Sequence, residues 1–139
     1  QHLRRPQYDD VVAEVKRFLA ERVQRAVDRG VPEERIVIDP GHDLNKNTHH
    51  TLELCRRLDE ITAIGYPTLA AVSNKDFIGE TLDLPGGLRL PGTLAAVVLS
   101  IVQGARIVRV HDVPAAVSAV RLTEAVLGWR EPVYTRHNV

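Results

Sequence analysis

The stretch ERIVIDPGHDLNKN, residues 34–47, places a carboxylate directly after a predicted buried strand. Residues 35–38 are rich in β-branched apolar side chains, which favours a strand inside a core. Asp39 follows this strand without any intervening turn. Packing does not require an acid at the end of a buried strand, so Asp39 is a candidate for chemistry.

Two later strands end in the same way. The stretches TLAAVSNK, residues 68–75, and ARIVRVHD, residues 105–112, each begin with apolar residues that favour a strand. Their final side chains are polar or charged: Ser73, Asn74 and Lys75 in the first, and Arg109, His111 and Asp112 in the second.

Helices are predicted between these strands, because apolar residues recur there every three or four positions. The predicted helices cover residues 9–29, about 48–64, about 93–103 and 114–128, and the predicted strands cover 35–39, 68–73 and 105–111. The glycine- and proline-rich residues 79–92 are predicted to form a loop. The order α-β-α-β-α-β-α is typical of a parallel sheet.

Two architectures fit this order: an open three-layer α/β sheet and part of a (β/α)8 TIM barrel. Three strands cannot close a barrel, which needs about 250 residues, so residues 1–139 would form a single partial barrel domain. Both architectures place ligand sites at the carboxyl ends of the strands, where the polar residues lie. Arg109 and His111 are two positions apart and point to one side, which suits a phosphate or pyrophosphate. The alternative is a structural ion pair of Asp39 with Lys75 or Arg109.

Composition narrows the classes of partner. The chain has 18 basic and 18 acidic residues, so its net charge does not favour nucleic acid or anionic lipid. Its longest apolar run, residues 94–102, is interrupted by Ser100 and is too short to span a membrane. The only cysteine, Cys55, excludes an internal disulfide and is predicted to pack in the core. A cytoplasmic location is expected.

Four segments together resemble the C-terminal half of dihydropteroate synthase. They are RIVIDPG with KN five residues later, SNKDFIGE, GTLAAVVLSIVQGA and IVRVHDV. The resemblance extends over nearly the whole chain and implies the last three strands of a (β/α)8 barrel. It also implies a transferase of folate biosynthesis that joins 6-hydroxymethyl-7,8-dihydropterin diphosphate to p-aminobenzoate and releases pyrophosphate, the step blocked by sulfonamides. Magnesium is implied as a cofactor, with its ligands outside this chain.

The resemblance gives each strand end a role. Asp39, Lys75 and Arg109 correspond to pterin-binding residues, and Arg109 with His111 corresponds to the pyrophosphate site. Ser73 and Asp76 correspond to the region that receives p-aminobenzoate. No metal ligand is implied within the chain.

Two segments depart from the family's pattern. DPGHDLNKN stands where active members commonly have Asp-Pro-Gly-Phe/Leu-Gly-Phe, and His42 and Asp43 are predicted to lie in a solvated loop rather than to bind a metal. Asp76 stands where a serine or arginine near the start of a helix helps to receive the carboxylate of p-aminobenzoate, so its charge has the wrong sign. Changes of this kind resemble second, divergent actinobacterial copies of the enzyme, whose catalysis is doubtful.

Two alternatives to the synthase are therefore kept. One is a catalytically silent paralogue that acts as a binding or assembly module, and the other is a pterin-dependent methyltransferase. The resemblance also implies a homodimer through the last helices. The predicted helix at 93–103 has apolar residues around most of its circumference, whereas one stripe suffices for a helix that only packs on its own barrel.

Overall fold

Three parallel strand segments form the centre of the computed structural model, which describes residues 7–138. Strand β1, Leu69–Ala70, pairs with β2, Ile107–Val108, and on its other side Thr68 forms a parallel bridge with Ile38. The three predicted strands are thus neighbours in chain order. Their regular pairing is shorter than predicted, and the first strand is reduced to the single bridge at Ile38. The predicted domain also includes residues 1–6 and 139, which lie outside the described residues.

Six α-helices accompany these strands within residues 7–138. They are α1 (Val11–Asp28), α2 (Thr48–Arg56), α3 (Leu58–Thr62), α4 (Asp76–Leu82), α5 (Leu90–Val102) and α6 (Val113–Val126). The predicted helix at 9–29 is confirmed as α1, which begins after the N-cap Asp10; the carboxylate of Asp10 accepts hydrogen bonds from the N–H groups of Val12 and Ala13. Short 3-10 turns occupy Glu33–Arg35 and Gly86–Leu88.

Two predicted boundaries are wrong. The predicted helix at 48–64 is divided at Arg57, whose backbone leaves the helical conformation and whose guanidinium binds Asp10, Glu53 and Glu60. The predicted loop at 79–92 is shorter, because α4 extends into its start and α5 begins at its end with Pro91 in the first turn. The contact between Arg57 and Asp10 spans 47 positions, so the local sequence pattern does not contain it.

Side chains along the first strand point alternately to a face that is packed against helices and to a face that is exposed, which is called the open face below. Ile36 and Ile38 are buried against α1, α2 and α3, whereas Val37 is 50% exposed. Ile107 on β2 is also exposed. Residues two apart on a strand share a face, so the open face that carries Val37 and Ile107 also carries Asp39 at its end. The strand-end side chains therefore project from the face that the helices leave uncovered.

A second apolar cluster forms where α4 and α5 meet the end of the second strand. Its buried members are Val72, Phe77, Ile78, Val97 and Ile101. Cys55 packs against this cluster, as predicted, and burial raises the pKa of its thiol to about 12. None of the described helices combines the length and apolar character needed to cross a membrane.

Candidate functional site

A single hydroxyl group, that of Ser73, joins the ends of the second and third strands. The backbone N–H of His111 donates to Ser73 Oγ at 3.2 Å, and the same oxygen lies 2.8 Å from Nδ1 of the His111 ring. The hydroxyl thus fixes the orientation of the imidazole through Nδ1. The ring is exposed, so Nε2 is accessible to a ligand.

A pocket of about 240 Å³ lies between these two strand ends. Its lining residues are Ala71, Ser73, Lys75, Arg109, Val110 and His111. No carboxylate among residues 7–138 forms an ion pair with Lys75 or Arg109. The pocket therefore presents two uncompensated cations and an imidazole, which is an arrangement suited to a phosphate-bearing ligand.

Lys75 connects this pocket to the loop that follows the first strand. Its ammonium group donates to the backbone carbonyl of His42 at 2.7 Å, and its side chain is half-buried. An ammonium group has three N–H donors. One is used in holding the loop at residues 39–47, so two remain for a ligand.

Asp39 is exposed at the end of the first strand and lies outside the 240 Å³ pocket. Its Oδ1 accepts the backbone N–H of Gly41 at 2.9 Å, and it lines a separate cleft of about 420 Å³ together with Lys46. The alternative in which Asp39 forms a structural ion pair with Lys75 or Arg109 is wrong, since no such pair exists among the described residues. The second carboxylate oxygen, Oδ2, remains available to accept a hydrogen bond from a ligand.

His42 is fully buried, so the prediction that it lies in a solvated loop is wrong. Neither ring nitrogen has a hydrogen-bond partner among the described residues. Burial lowers the pKa of this imidazole to about 4, and the nearby charges of Asp39 and Lys75 act on it in opposite directions. The ring is therefore neutral at pH 7. Asp39 and Lys75, at the ends of the first two strands, lie close enough for their charges to act on its pKa.

Asp43 holds the loop against α4. Its Oδ2 accepts the backbone N–H of Phe77 at 3.1 Å, and its Oδ1 accepts the hydroxyl of Thr51 at 2.8 Å. The backbone of Asp43 has φ 61°, in the left-handed region that aspartate tolerates better than most residues. This residue is half-buried rather than solvated.

Asp76 forms an ion pair with Arg89, whose Nη1 lies 2.9 Å from Asp76 Oδ1. The side chain of Asp76 is 83% exposed, while that of Arg89 is only 15% exposed. Arg89 also donates to the backbone carbonyls of Asn74 and Leu84. The negative charge that the sequence places after Lys75 is thus partly compensated by a fixed guanidinium.

Residues 1–111 match the family described as pterin binding enzymes. The chain belongs to this family. Among its relatives, the dihydropteroate synthase of Escherichia coli K12 is 41% identical over 126 residues, which are 91% of this chain and 45% of the relative. The protein described as inactive dihydropteroate synthase 2 of Mycobacterium leprae is 42% identical over 125 residues, which are 90% of this chain and 43% of the relative.

The solved structures agree with the sequence relatives. Dihydropteroate synthase from Thermus thermophilus, in complex with 4-aminobenzoate, superimposes with a TM-score of 0.83 at 44% identity. The match covers 88% of this chain and 49% of that structure. The chain therefore spans about half the length of the pterin-binding relatives it matches, and its fold is a portion of their (β/α)8 barrel, as predicted.

Three residues of this pterin-binding family member make contacts that the sequence alone does not predict. From the sequence, Asp43 is expected to be solvated, Arg89 is expected to lie in a loop, and Lys46 is only part of a motif. Lys46 donates to the carbonyls of Gly41 and Leu44, and burial lowers the pKa of its ammonium group. One signal could have indicated Arg89: it is the only charged residue within the segment 84–92.

Proposed function

We propose that this protein binds a pterin diphosphate and belongs to the folate pathway as a dihydropteroate synthase-like transferase. The observation that carries the proposal is the pocket in which Lys75 and Arg109 present positive charge without a carboxylate partner among the described residues, beside the imidazole of His111. A pyrophosphate group would supply the missing charge. The single cysteine fits a cytoplasmic location.

Each residue has a specific task in this proposal. Asp39 accepts two N–H groups from the edge of the pterin ring, and Lys75 donates to its carbonyl oxygen and a ring nitrogen. Arg109 lies against the pterin and, with Nε2 of His111, holds the pyrophosphate.

In the reaction, the bond between the pterin methylene and the pyrophosphate oxygen breaks, and the amine of p-aminobenzoate forms the new C–N bond and loses a proton. The electron pair of the broken bond leaves with pyrophosphate, so the main task of the site is to stabilise that negative charge. Arg109 and His111 are the residues of this chain that do so.

Magnesium would add to this stabilisation of charge. Among residues 7–138, however, no three histidine, cysteine, aspartate or glutamate side chains are grouped so that they could hold a metal ion. We therefore assign none of these residues to magnesium and route no step of the reaction through it.

A catalytically silent paralogue is the second candidate, and the ion pair between Asp76 and Arg89 favours it. This pair places a carboxylate beside the proposed second-substrate region. The similarity to the inactive Mycobacterium leprae protein supports the same view. The relatives reported above are synthases and an inactive synthase paralogue, so the methyltransferase alternative has no support of this kind.

The protein, at its full natural length, should bind the pterin diphosphate with a dissociation constant on the order of micromolar, within the usual range for enzyme substrates. Isothermal titration calorimetry measures the binding, and chromatographic detection of dihydropteroate measures the reaction. Binding with turnover supports the transferase, whereas binding without turnover supports the silent paralogue. Absence of binding would contradict the transferase and any silent paralogue that acts by binding the pterin.

The protein should also form a homodimer through α5 and α6. These helices expose large apolar side chains, among them Leu99, Val102, Leu122 and Val126, which are 56–78% accessible. Burying such side chains against a second copy would remove apolar area from water. Sedimentation velocity at micromolar concentration should give the mass of a dimer, and Leu122→Lys should shift it towards the monomer. A monomeric wild-type protein would contradict this proposal.

A further inference from the structure

The hydroxyl of Ser73 is the group that holds the ring of His111. Ser73 Oγ lies 2.8 Å from Nδ1 of the imidazole, and it accepts the backbone N–H of the same histidine at 3.2 Å. Within residues 7–138, the imidazole has no other hydrogen bond and no ion pair. Because the ring is exposed, its orientation depends on this one contact.

The parallel pairing of β1 with β2 places these two residues side by side. Ala70 on β1 is paired with Val108 on β2, and Ser73 and His111 each follow three residues later. Ser73 is buried, with 7% of its surface exposed. A serine hydroxyl is separated from the backbone by a single side-chain torsion, χ1, which has three staggered positions. The position of this hydroxyl is therefore set by the strand and its packing before any ligand arrives.

Both residues line the pocket of about 240 Å³ that also contains Lys75 and Arg109. These two cations make the pocket suited to an anion, and Nε2 is the ring nitrogen of His111 that remains for it. An exposed imidazole that turned freely would have to be ordered when the anion binds, and this ordering lowers the affinity. A ring that is already held at Nδ1 avoids most of this cost.

We infer that Ser73 is a positioning residue that holds His111 for the pyrophosphate group. A hydroxyl can donate to Nδ1 or accept from it, so it can hold the ring whether or not the imidazole is protonated. The family resemblance places Ser73 in the region that receives p-aminobenzoate, whereas the contacts of its hydroxyl in this protein are with His111. The inference rests on the proposed function and adds a residue to the part of the site that stabilises the leaving group.

The affinity for inorganic pyrophosphate, measured by calorimetry on the full-length protein, tests this role. Ser73→Ala should lower the affinity by roughly three- to tenfold, which corresponds to the cost of ordering one side chain on binding. In a protein that already carries His111→Ala, the same substitution should change the affinity by less than about twofold. The effect of Ser73 is thus expected to disappear together with the ring through which it acts.

Nitrogen NMR of the imidazole rings gives a second readout that needs no ligand. Ser73→Ala should shift the Nδ1 resonance of His111, which is assigned by its absence from His111→Ala. Ser73→Thr keeps the hydroxyl and suits an extended strand end, so it should retain the wild-type resonance and an affinity within about twofold of the wild type. Ser100→Ala is the matched control, because it removes another buried serine hydroxyl, which donates to the carbonyl of Ala96 within α5. It should change neither measurement.

A folded Ser73→Ala variant with unchanged affinity for pyrophosphate, or with an unshifted Nδ1 resonance, overturns this inference. So does an equal loss of affinity with and without the ring of His111, since the hydroxyl would then bind the anion itself. If the alanine variant does not fold, Ser73→Cys replaces it with the same expectations, because a thiol has nearly the same size and forms weaker hydrogen bonds.

The binding of the pterin diphosphate separates this inference from the proposed function. If the wild-type protein binds the pterin diphosphate while any of these outcomes is found, the proposed function stands and the role of Ser73 does not. Failure of the wild-type protein to bind pyrophosphate overturns the inference, and failure to bind the pterin diphosphate as well overturns the proposed function with it.

Discussion

Lys75→Ala should lower the affinity of the full-length protein for a pterin diphosphate by a factor of roughly a hundred or more. Two donors of the ammonium group remain available to a ligand after the contact with His42. Hydrogen bonds that involve a charged group are worth about 1.5–3 kcal/mol each, so losing two corresponds to about 3 kcal/mol or more. Calorimetric titration measures the change.

The fold should tolerate this substitution. The side chain of Lys75 makes one hydrogen bond among the described residues, and the loss of one such bond costs about 1 kcal/mol. The thermal midpoint should therefore fall by only a few degrees. Lys16→Ala, which removes an exposed lysine of α1, is the control and should leave the affinity unchanged. Unchanged affinity in Lys75→Ala would show that this residue serves only to hold the loop.

Substitution of Asp39 should also lower the affinity for the pterin diphosphate, but for a different reason. Asp39→Asn keeps an oxygen that can accept the N–H of Gly41, so the turn is retained. It presents only one acceptor where the carboxylate presents two, and its amide would face a donor of the pterin edge. The affinity should fall about as far as in Lys75→Ala, and a variant that binds normally would place the pterin elsewhere.

His42 should make the protein markedly less stable as the pH falls below 6.5. The pKa of the buried imidazole is lowered to about 4 from an ordinary value of 6.5, chiefly by burial. The unfolded chain therefore takes up a proton between pH 6.5 and pH 4 that the folded protein excludes. Stability from this group is complete above pH 6.5 and falls by about 1.4 kcal/mol per pH unit below it, for a total of about 3 kcal/mol.

The variant His42→Phe should lack this contribution. The difference in unfolding free energy between the variant and the wild type should grow by about 2 kcal/mol between pH 7 and pH 5, which urea denaturation at the two values measures. At pH 7 the variant should already be more stable by about 1–3 kcal/mol, since two buried nitrogens without protein partners are removed.

Two further variants keep this prediction testable. His42→Leu covers the case in which phenylalanine is too large for the site, and His49→Gln removes an exposed histidine seven residues away. The leucine variant should follow the phenylalanine variant, and the glutamine variant should follow the wild type. A parallel pH dependence in all four proteins would show that the ring of His42 reaches water in solution.

The sequence by itself determined the alternation of helices and strands and the grouping of the strand-end residues. Both depend on local periodicity and on a rule of parallel sheets: side chains at the carboxyl ends of adjacent parallel strands lie at one edge. Lys75, Arg109 and His111 line one pocket for that reason. The resemblance to the pterin-binding family could likewise be recognised from short contiguous motifs.

Only the tertiary structure decided which charged side chains in and around this site already have a partner in the protein and which remain available to a ligand. Asp43 and Phe77 are 34 residues apart, and Arg89 reaches Asn74 across 15, so no local pattern records either contact. The burial of His42 has the same origin, because a polar residue in a turn is exposed unless distant elements pack over it. Sequence periodicity gives the direction of a side chain, whereas its partner, and hence its available charge, depends on which distant segments the fold brings beside it.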